Sequence, residues 1–317
     1  MTGRDHVFVV SESDQGKRFD RFLQGQDLPL SRSRIKELIT QGEFRVNDRH
    51  VKPASRLRPG DRVRGAVPEP RPLGVKAEDI SLDILHEDPH IIVVNKAAGM
   101  IVHPAPRIYT GTLVNALLFH CQDLSGINGV LRPGIVHRLD RYTSGVIVAA
   151  KHDRAHESLV RQFKARTVKK RYMAVVYGCS SDMEGTIDTS LGRHPKKRMT
   201  MSIHTRRPRE AITRWKVLET LGGFTLLEVF PRTGRTHQIR VHLSSIGHPI
   251  LGDPIYGRKR HLKRIDEPLV KAVAEGFQRQ ALHASDLRLV HPESGQSMSF
   301  RAPLPPDMEE LIRSLRM

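Results

Sequence analysis

Short apolar segments of strand length recur from about residue 80 to the end of the chain, and they constrain the fold more than any other feature of the sequence. They are LDILHE, HIIVVN, GVIVAAK, RYMAVVYG, ITRWKVLE, FTLLEVF and LHASDLRLV, with helical patterns at GTLVNALLFH and AHESLVRQFKA. Tight turns such as that in ILHEDPHIIVV join neighbouring segments, and strand and helix do not alternate regularly. The pattern predicts an α+β domain built on a mixed, mostly antiparallel sheet with flanking helices and loops.

Residues 17–65 differ in composition and predict a small basic α/β module. They contain 13 Lys and Arg against 6 Asp and Glu. The segment LSRSRIKELITQG predicts a helix that is capped by Ser31 or Ser33 and ended by Gly42. The outer surface of this helix would carry Arg32, Arg34 and Lys36.

Alternate prolines in VPEPRPLG favour an extended spacer after this module, because proline fixes the backbone and excludes a helix. We therefore predict an N-terminal module over residues 1–66, a Pro-rich linker over 67–79 and a larger domain over 80–317.

A large surplus of basic residues predicts a polyanionic partner. The chain has 52 Lys and Arg against 34 Asp and Glu, a net charge of +18, and cations that neutralise phosphates are the main source of sequence-independent affinity for nucleic acid. The basic residues cluster at 164–171, 193–209 and 258–264, which favours nucleic acid over a charged face that only aids solubility. An anionic membrane is the rival polyanion, but no basic amphipathic helix with an aromatic face supports it.

Other classes of protein are disfavoured by what the sequence lacks. The apolar runs are far shorter than the ~20 residues of a spanning helix, and the polar start MTGRDH has no signal-peptide core. We therefore expect a cytoplasmic, monomeric protein with no membrane association. Cys121 and Cys179 are the only cysteines and lack metal-binding spacing, so we expect two buried thiols, no disulfide and no metal site.

The densest group of polar residues lies between two apolar strand segments, in RPGIVHRLDRYTSGVIVAAK at residues 132–151. A loop held between strands is a common position for catalytic side chains. Arg138 and Arg141 flank Asp140, and neighbouring cations keep a carboxylate ionised and able to act as a nucleophile. Alternatively, Asp140 only caps a turn with the Thr-Ser-Gly that follows. The local sequence supports both interpretations equally.

Over nearly its whole length the sequence resembles the RluA-type RNA pseudouridine synthases. HRLDRYTSG fits the signature of that family, and four other segments match in the family's order: NKAAGMIVHP, where Ala97 replaces the usual Pro, KKRYMAVVYG, PRTGRTHQIRVHLSSIGHPILGDPIYG and RQALHASDLRLVHPESGQSMSFRAPLP. Residues 17–65 are similar to the RNA-binding domain of ribosomal protein S-four, which RluC- and RluD-like members carry. GTLVNALLFH favours the RluD-like branch.

The resemblance implies an isomerisation without a cofactor, in which the N1–C1′ bond of a flipped uridine breaks and C5 bonds to C1′. Asp140 would be the catalytic carboxylate, either adding to C1′ or acting through a glycal route. Arg240 would keep Asp140 ionised, and Tyr172 would offer a ring face to the detached uracil and a phenol to the C5 proton. The substrate expected for the family is large-subunit (23S) ribosomal RNA or a pre-50S particle. RNA contacts are expected from Arg138, Arg141, Arg32, Arg34, Lys36, Lys196, Lys197, Arg198 and Arg235.

Two other functions stay open on the sequence. One is a non-catalytic RNA-binding or ribosome-assembly factor on the same fold, against which the intact set of Asp140, Tyr172 and Arg240 argues. The other is a glycosylase, which would activate water and release a free base.

Overall fold

A computed structural model of the protein describes residues 4–28, 30–68, 71–72, 75–105, 108–121, 124, 126–127, 130–131, 133–196, 200–257, 262, 265 and 267–316. Two of the expected RNA contacts, Lys197 and Arg198, lie outside the described residues. Their neighbour Lys196 lies on an exposed turn, where its backbone N–H donates to Nδ1 of His194 at 3.1 Å.

The N-terminal module packs two helices on a three-stranded sheet. Its elements are β1 (Arg4–Val9), a 3-10 helix (Glu12–Asp14), α1 (Phe19–Gln24), α2 (Arg32–Gln41), β2 (Phe44–Val46) and β3 (Arg62–Val67), with strand order β1-β3-β2. As predicted, the Ser31 side chain caps α2 by accepting from the backbone N–H of Arg34, and Gly42 ends the helix with a left-handed φ of 82°. A core that includes Phe19 and Phe44 belongs to this module alone.

From residue 71 onward the chain forms a larger unit. Its strands are β4 (Arg71–Pro72), β5 (Ile84–Glu87), β6 (Ile91–Lys96), β7 (Gly126–Ile127), β8 (Val130–Leu131), β9 (Gly134–Ile135), β10 (Ser144–Ala150), β11 (Lys169–Tyr177), β12 (Glu184–Asp188), β13 (Gly192–Arg193), β14 (Met201–Ser202), β15 (Ile212–Leu221), β16 (Phe224–Pro231), β17 (Leu282–Val290) and β18 (Ser297–Arg301). Its helices are α3 (Leu113–His120), α4 (Asp153–Lys164), α5 (Gln238–Ser245), α6 (Pro268–Gly276) and α7 (Pro306–Leu315).

Ten of these strands form one sheet. The order is β12-β15-β16-β11-β17-β10-β6-β5, with β18 beside β17 and β9 beside β10. In the described part of this sheet only β10 and β17 pair in parallel, and every other pair is antiparallel. The predicted mixed, mostly antiparallel sheet is therefore confirmed.

Strand β10 is the most deeply buried of the sheet. Its Val148 packs with Leu159 of α4 on one face, and its Ile147 packs with Leu113 of α3 on the other. A strand covered on both faces has no solvent side to keep polar, which explains the unbroken apolar run GVIVAA.

The polar loop before β10 joins the sheet at the point where β10 pairs in parallel with β17. Gly145 has a φ of 112°, and a Cβ there would lie 2.2 Å from the carbonyl oxygen of Ala284. Only glycine permits this approach. Ser144 Oγ also hydrogen-bonds His283 Nδ1 across the pair at 3.0 Å.

Smaller features complete the fold. The predicted spacer contains β4, which pairs with β8 in a small sheet of order β4-β8-β7; the proposed boundaries at 66 and 80 stay predictions. The expectation of two buried thiols is wrong for Cys179, which is exposed just after β11 ends, whereas Cys121 is buried. No helix in the described part of the chain is long and apolar enough to cross a membrane.

Candidate active site

A cavity of about 700 Å³ opens beside the loop between β9 and β10. This volume is within the usual range of ligand sites. The walls come from that loop, from β11, from the end of α4 and from residues 231–240. Of the side chains singled out in the sequence, the cavity is lined by Arg138, Asp140, Tyr172, Arg235 and Arg240. The structure therefore brings the three expected catalytic side chains together with two of the expected RNA contacts.

Asp140 uses its backbone and its side chain for different purposes. Its carbonyl oxygen closes the turn by accepting from the Thr143 N–H at 3.0 Å. Its carboxylate Oδ2 accepts from Nη1 of Arg240 at 3.0 Å, and the side chain is 16% exposed. The turn is therefore closed by the backbone of Asp140, and its carboxylate does not cap the turn but binds Arg240.

Arg240 lies on α5 and is held on two sides. Its Nε and Nη2 donate to the two carboxylate oxygens of Asp253 at 2.7 and 2.9 Å, and the guanidinium lies 5.1 Å from the ring centre of Tyr256. Burial by itself lowers the pKa of Arg240, but the bonds and charges of Asp253 and Asp140 outweigh it and raise that pKa. Arg240 is thus a fixed cation with Nη1 left for Asp140.

The sequence analysis missed Asp253. Its side chain is fully buried, and Oδ1 also accepts from the backbone N–H groups of Ile255 and Tyr256 at 2.9 and 3.0 Å. The preceding Gly252 has a φ of 70°, and a Cβ there would lie 2.1 Å from the carbonyl oxygen of Arg279. The available signal was the Gly-Asp-Pro triplet, since Asp in a turn commonly binds backbone N–H groups that follow it.

Tyr172 reaches the cavity from an irregular position in β11. Towards β17, Arg171 pairs with Asp286 and Met173 pairs with His283, so the register shifts at Tyr172. Such bulges often re-aim side chains beside active sites. Burial raises the pKa of Tyr172, and the negative charge of Asp140 raises it further. The phenol therefore stays protonated at ordinary pH.

Lys96 is a second residue that the sequence analysis missed. It is buried at the end of β6, and its Nζ donates to the carbonyl oxygens of Ala97, Met100 and Arg141 at 2.8, 2.9 and 3.2 Å. Burial lowers the pKa of Lys96 to about 7, although the charge of Asp140 acts in the opposite direction. Lys96 thereby ties the Asp140 loop to the segment after β6. A lone Lys at the end of the apolar run HIIVVN was the available signal.

Arg141 also takes part in this connection. Its Nε donates to the Gly99 carbonyl at 3.1 Å, and its own carbonyl accepts the Gly99 N–H at 2.8 Å. Arg141 is exposed, but it does not line the cavity with Arg138. Arg235, in contrast, lines the cavity while its Nε donates to the carbonyl oxygen of Glu210 at 3.1 Å.

Two of the three cations expected on the surface of α2 lie beside a buried carboxylate in the N-terminal module. Asp20 is fully buried, accepts two bonds from Arg32 at 3.2 and 2.8 Å, and lies 3.9 Å from Lys36 Nζ. Arg34 pairs instead with Glu37 at 2.9 Å, and its side chain is only 11% exposed. Arg32 and Lys36 are therefore more accessible than Arg34.

These groups define the chemistry that the cavity offers. A carboxylate lies beside a fixed guanidinium, with a protonated phenol and basic side chains on the same walls. Such a site can bind an anionic ligand and present a carboxylate to it. Among the described residues, no three His, Cys, Asp or Glu side chains are grouped so as to hold a metal ion.

Comparison with known proteins identifies the family. Residues 90–245 match the model of the RNA pseudouridylate synthases, and residues 17–63 match the S4 domain. The uncharacterized RNA pseudouridine synthase YlyB of Bacillus subtilis is 49% identical over 308 residues, which cover 97% of each chain. The ribosomal large subunit pseudouridine synthase D of Zymomonas mobilis is 44% identical, over 97% of this chain and 96% of its own.

Solved structures agree with these matches. The human RNA pseudouridylate synthase domain containing 4 has a TM-score of 0.57 and 27% identity, and the match covers 74% of this chain and 93% of the human one. The family match and the relatives thus define an RNA-modifying isomerase. The chain belongs to the RNA pseudouridylate synthase family, carries an S4 domain and converts uridine in RNA to pseudouridine.

Proposed function

We propose that the protein converts specific uridines of large-subunit ribosomal RNA to pseudouridine, with Asp140 as the catalytic carboxylate. The observation that carries this assignment is the arrangement at the cavity: Asp140 accepts a bond from Arg240, and Asp253 fixes Arg240 from the other side. Relatives named ribosomal large subunit pseudouridine synthase D, aligned over nearly the whole chain, support the ribosomal substrate.

The residues divide the reaction between them. The target uridine leaves the RNA stack and enters the cavity, at a cost of a few kcal/mol. Asp140, oriented by its hydrogen bond from Arg240, acts at the ribose while the N1–C1′ bond breaks. The detached uracil turns against the ring of Tyr172 until C5 bonds to C1′, after which C5 loses its proton and N1 carries one. Since its phenol stays protonated, Tyr172 serves as a ring surface and hydrogen-bonding group rather than as a phenolate base.

Residues beyond the catalytic three bind the RNA in this proposal. Arg138, at the cavity wall, occupies the place vacated by the flipped base or holds the phosphate of its nucleotide. The S4 module binds a second RNA element through Arg32 and Lys36, and linking two modest binders raises the overall affinity. The protein acts as a monomer in the cytoplasm, on free RNA or on an assembling large-subunit particle.

The test is to incubate the protein with ribosomal RNA transcribed without modifications and to map pseudouridine by carbodiimide-dependent primer-extension stops. We expect discrete new stops. Asp140→Asn should lower the rate at least ~10³-fold, because it removes the reacting carboxylate, while RNA binding is largely kept. Asp182→Asn, at an exposed carboxylate outside the cavity, is the matched control.

Two results would contradict the proposal. Equal rates for wild type and Asp140→Asn would remove the catalytic assignment. Tight RNA binding without stops, on both free RNA and the precursor particle, would favour the non-catalytic assembly factor.

A further inference from the structure

We infer that Lys170 and residues 232–236 form a subsite for the phosphodiester of the nucleotide next to the flipped uridine. The inference rests on the proposed function for the identity of the RNA. It concerns a lysine of the basic cluster 164–171, to which neither the reaction nor the comparisons give a role.

Lys170 precedes the irregular position of β11, and its side chain lines the cavity together with that of Tyr172. The intervening Arg171 is bound elsewhere, to Glu228 and Asp286. Lys170 Nζ donates to the carbonyl oxygen of Thr233 at 3.1 Å, so the ammonium points to the loop after β16 rather than to the uracil position on Tyr172.

The ammonium has donors left for a ligand. Lys170 is half-buried, and in the described part of the chain no carboxylate lies within 4.0 Å of its Nζ. One of its three N–H groups is used by Thr233, so two remain. Burial lowers the pKa of Lys170 to about 8, which still leaves most of the population charged at pH 7. A partly buried cation without an acidic partner is a natural site for an anion.

Hydrogen bonds from Gln238 hold the loop that faces Lys170 in place. Gln238 Oε1 accepts from the Thr233 hydroxyl at 2.7 Å and from the Arg235 N–H at 3.0 Å, and its Nε2 donates to the Ile212 carbonyl at 3.0 Å. A Cβ at Gly234 would lie in ordinary contact with Lys170 Nζ, at 3.8 Å, so this glycine lies next to the ammonium. A preorganised wall binds its ligand with less loss of entropy.

The charges around this wall select an anion. Lys164, Arg166, Arg232 and Arg235 also line the cavity. The nearby carboxylate, Glu210, gives both of its oxygens to Arg166 at 2.8 and 2.6 Å. Because bases and riboses are neutral at pH 7, the phosphodiester is the group of RNA that matches this surplus.

The test measures RNA affinity and its salt dependence in Lys170→Met, which keeps length and removes charge. The RNA is a fragment around a mapped target uridine, with Kd taken from fluorescence anisotropy and KM and kcat from pseudouridine formation. We expect Kd and KM to rise about tenfold and the slope of log Kd against log salt to fall by ~0.7, with the loss mainly in KM. Lys170→Arg should restore most of the affinity. Lys216→Met, at an exposed lysine of β15, should change neither quantity.

A substrate with one neutral methylphosphonate locates the phosphate. At one position next to the target uridine, the methylphosphonate should weaken RNA binding by the wild-type protein as much as Lys170→Met does. It should not weaken RNA binding by Lys170→Met any further. If Lys170→Met reduced kcat but left Kd and the salt slope unchanged, the inference would be overturned. Lys170 would then only hold the loop that contains Thr233. If wild-type protein formed no pseudouridine in full-length ribosomal RNA, while Lys170→Met still lowered the salt slope of binding to that RNA, the proposed function would be overturned and the phosphate subsite would stand.

Discussion

Asp20 in the S4 module and Asp140 in the cavity are both carboxylates held by arginine, but their partners differ in number. Asp20 is fully buried and accepts bonds from both Arg18 and Arg32, four in all. Both arginines that bind Asp20 are partly exposed at the surface of the module. A carboxylate of this kind organises the cations around it.

The carboxylate of Asp140 accepts fewer hydrogen bonds than that of Asp20. It is 16% exposed and accepts one bond from Arg240, whose other bonded donors are committed to Asp253. Arg240 gives Asp140 one charged hydrogen-bond partner, and the Asp140 side chain also lines the cavity. Asp20 is thus saturated with donors, whereas Asp140, the carboxylate we propose to react, is oriented by an arginine that a second carboxylate holds in place.

The largest expected effect comes from breaking that orientation. In Arg240→Lys a single ammonium cannot serve Asp140 and Asp253 as the planar fork does, so we expect kcat to fall by about 10²–10³-fold. Single-turnover pseudouridine formation measures the loss. The matched control is Arg316→Lys, since Arg316 makes a two-bond pair with Glu219 but does not line the cavity. Equal activities of the two variants would mean that the Arg240 geometry is unimportant for the reaction.

Asp20→Asn should instead affect stability. Arg18 and Arg32 would lose the charge that holds them, and because both are about one-third exposed, we expect a loss of about 2 kcal/mol, less than for a wholly buried pair. Urea unfolding measures it. Asp14→Asn, in the exposed pair with Lys17, should cost much less, because solvent screens surface ion pairs. An equal loss in the two variants would remove the distinction between a buried and a surface carboxylate.

The same carboxylate should give a defined dependence of stability on pH. Burial by itself raises the pKa of Asp20, but the bonds from Arg18 and Arg32 outweigh it and lower that pKa. The unfolded chain, with a pKa of about 3.9, therefore takes up the proton first as pH falls. The stability advantage of wild type over Asp20→Asn should stay constant from pH 7 to 5 and shrink below about pH 4. Urea midpoints across this range measure it, and a gap that already closes between pH 7 and 5 would indicate a raised pKa.

Features encoded by neighbouring residues could be predicted from the sequence. The cap at Ser31, the left-handed Gly42 and the apolar run of β10 each depend on a few adjacent residues or on local periodicity. The order of the strands could not be predicted, since it rests on contacts such as that of Gly145 with Ala284. Periodicity names the strands but does not say which of them lie side by side.

The candidate site divides in the same way. Asp140 and Arg240 are 100 residues apart in the chain, and only the family resemblance, not any spacing, joined them before the structure was known. Lys96 and Arg141 are 45 residues apart, and their contact passes from a side chain to a backbone carbonyl. Contacts of that type leave no complementary side chain to find, and so the sequence analysis missed Lys96.

The smallest expected effect tests whether the cations around Asp20 meet RNA. Lys36 lies 3.9 Å from Asp20 and is 46% exposed, so Lys36→Met should leave the carboxylate bound by its two arginines and remove only one charge from the surface. We expect RNA affinity to weaken about threefold and the slope of log Kd against log salt to fall by less than ~1, with the loss in binding rather than in kcat. Fluorescence anisotropy over a range of salt concentrations measures both, with Lys216→Met as the control at an exposed lysine of the large sheet. If Lys36→Met and Lys216→Met gave the same slope as wild type, the cations around Asp20 would serve only the stability of the module. The contrast between Asp20 and Asp140 would then be one between two structural environments, and not one between RNA binding and catalysis.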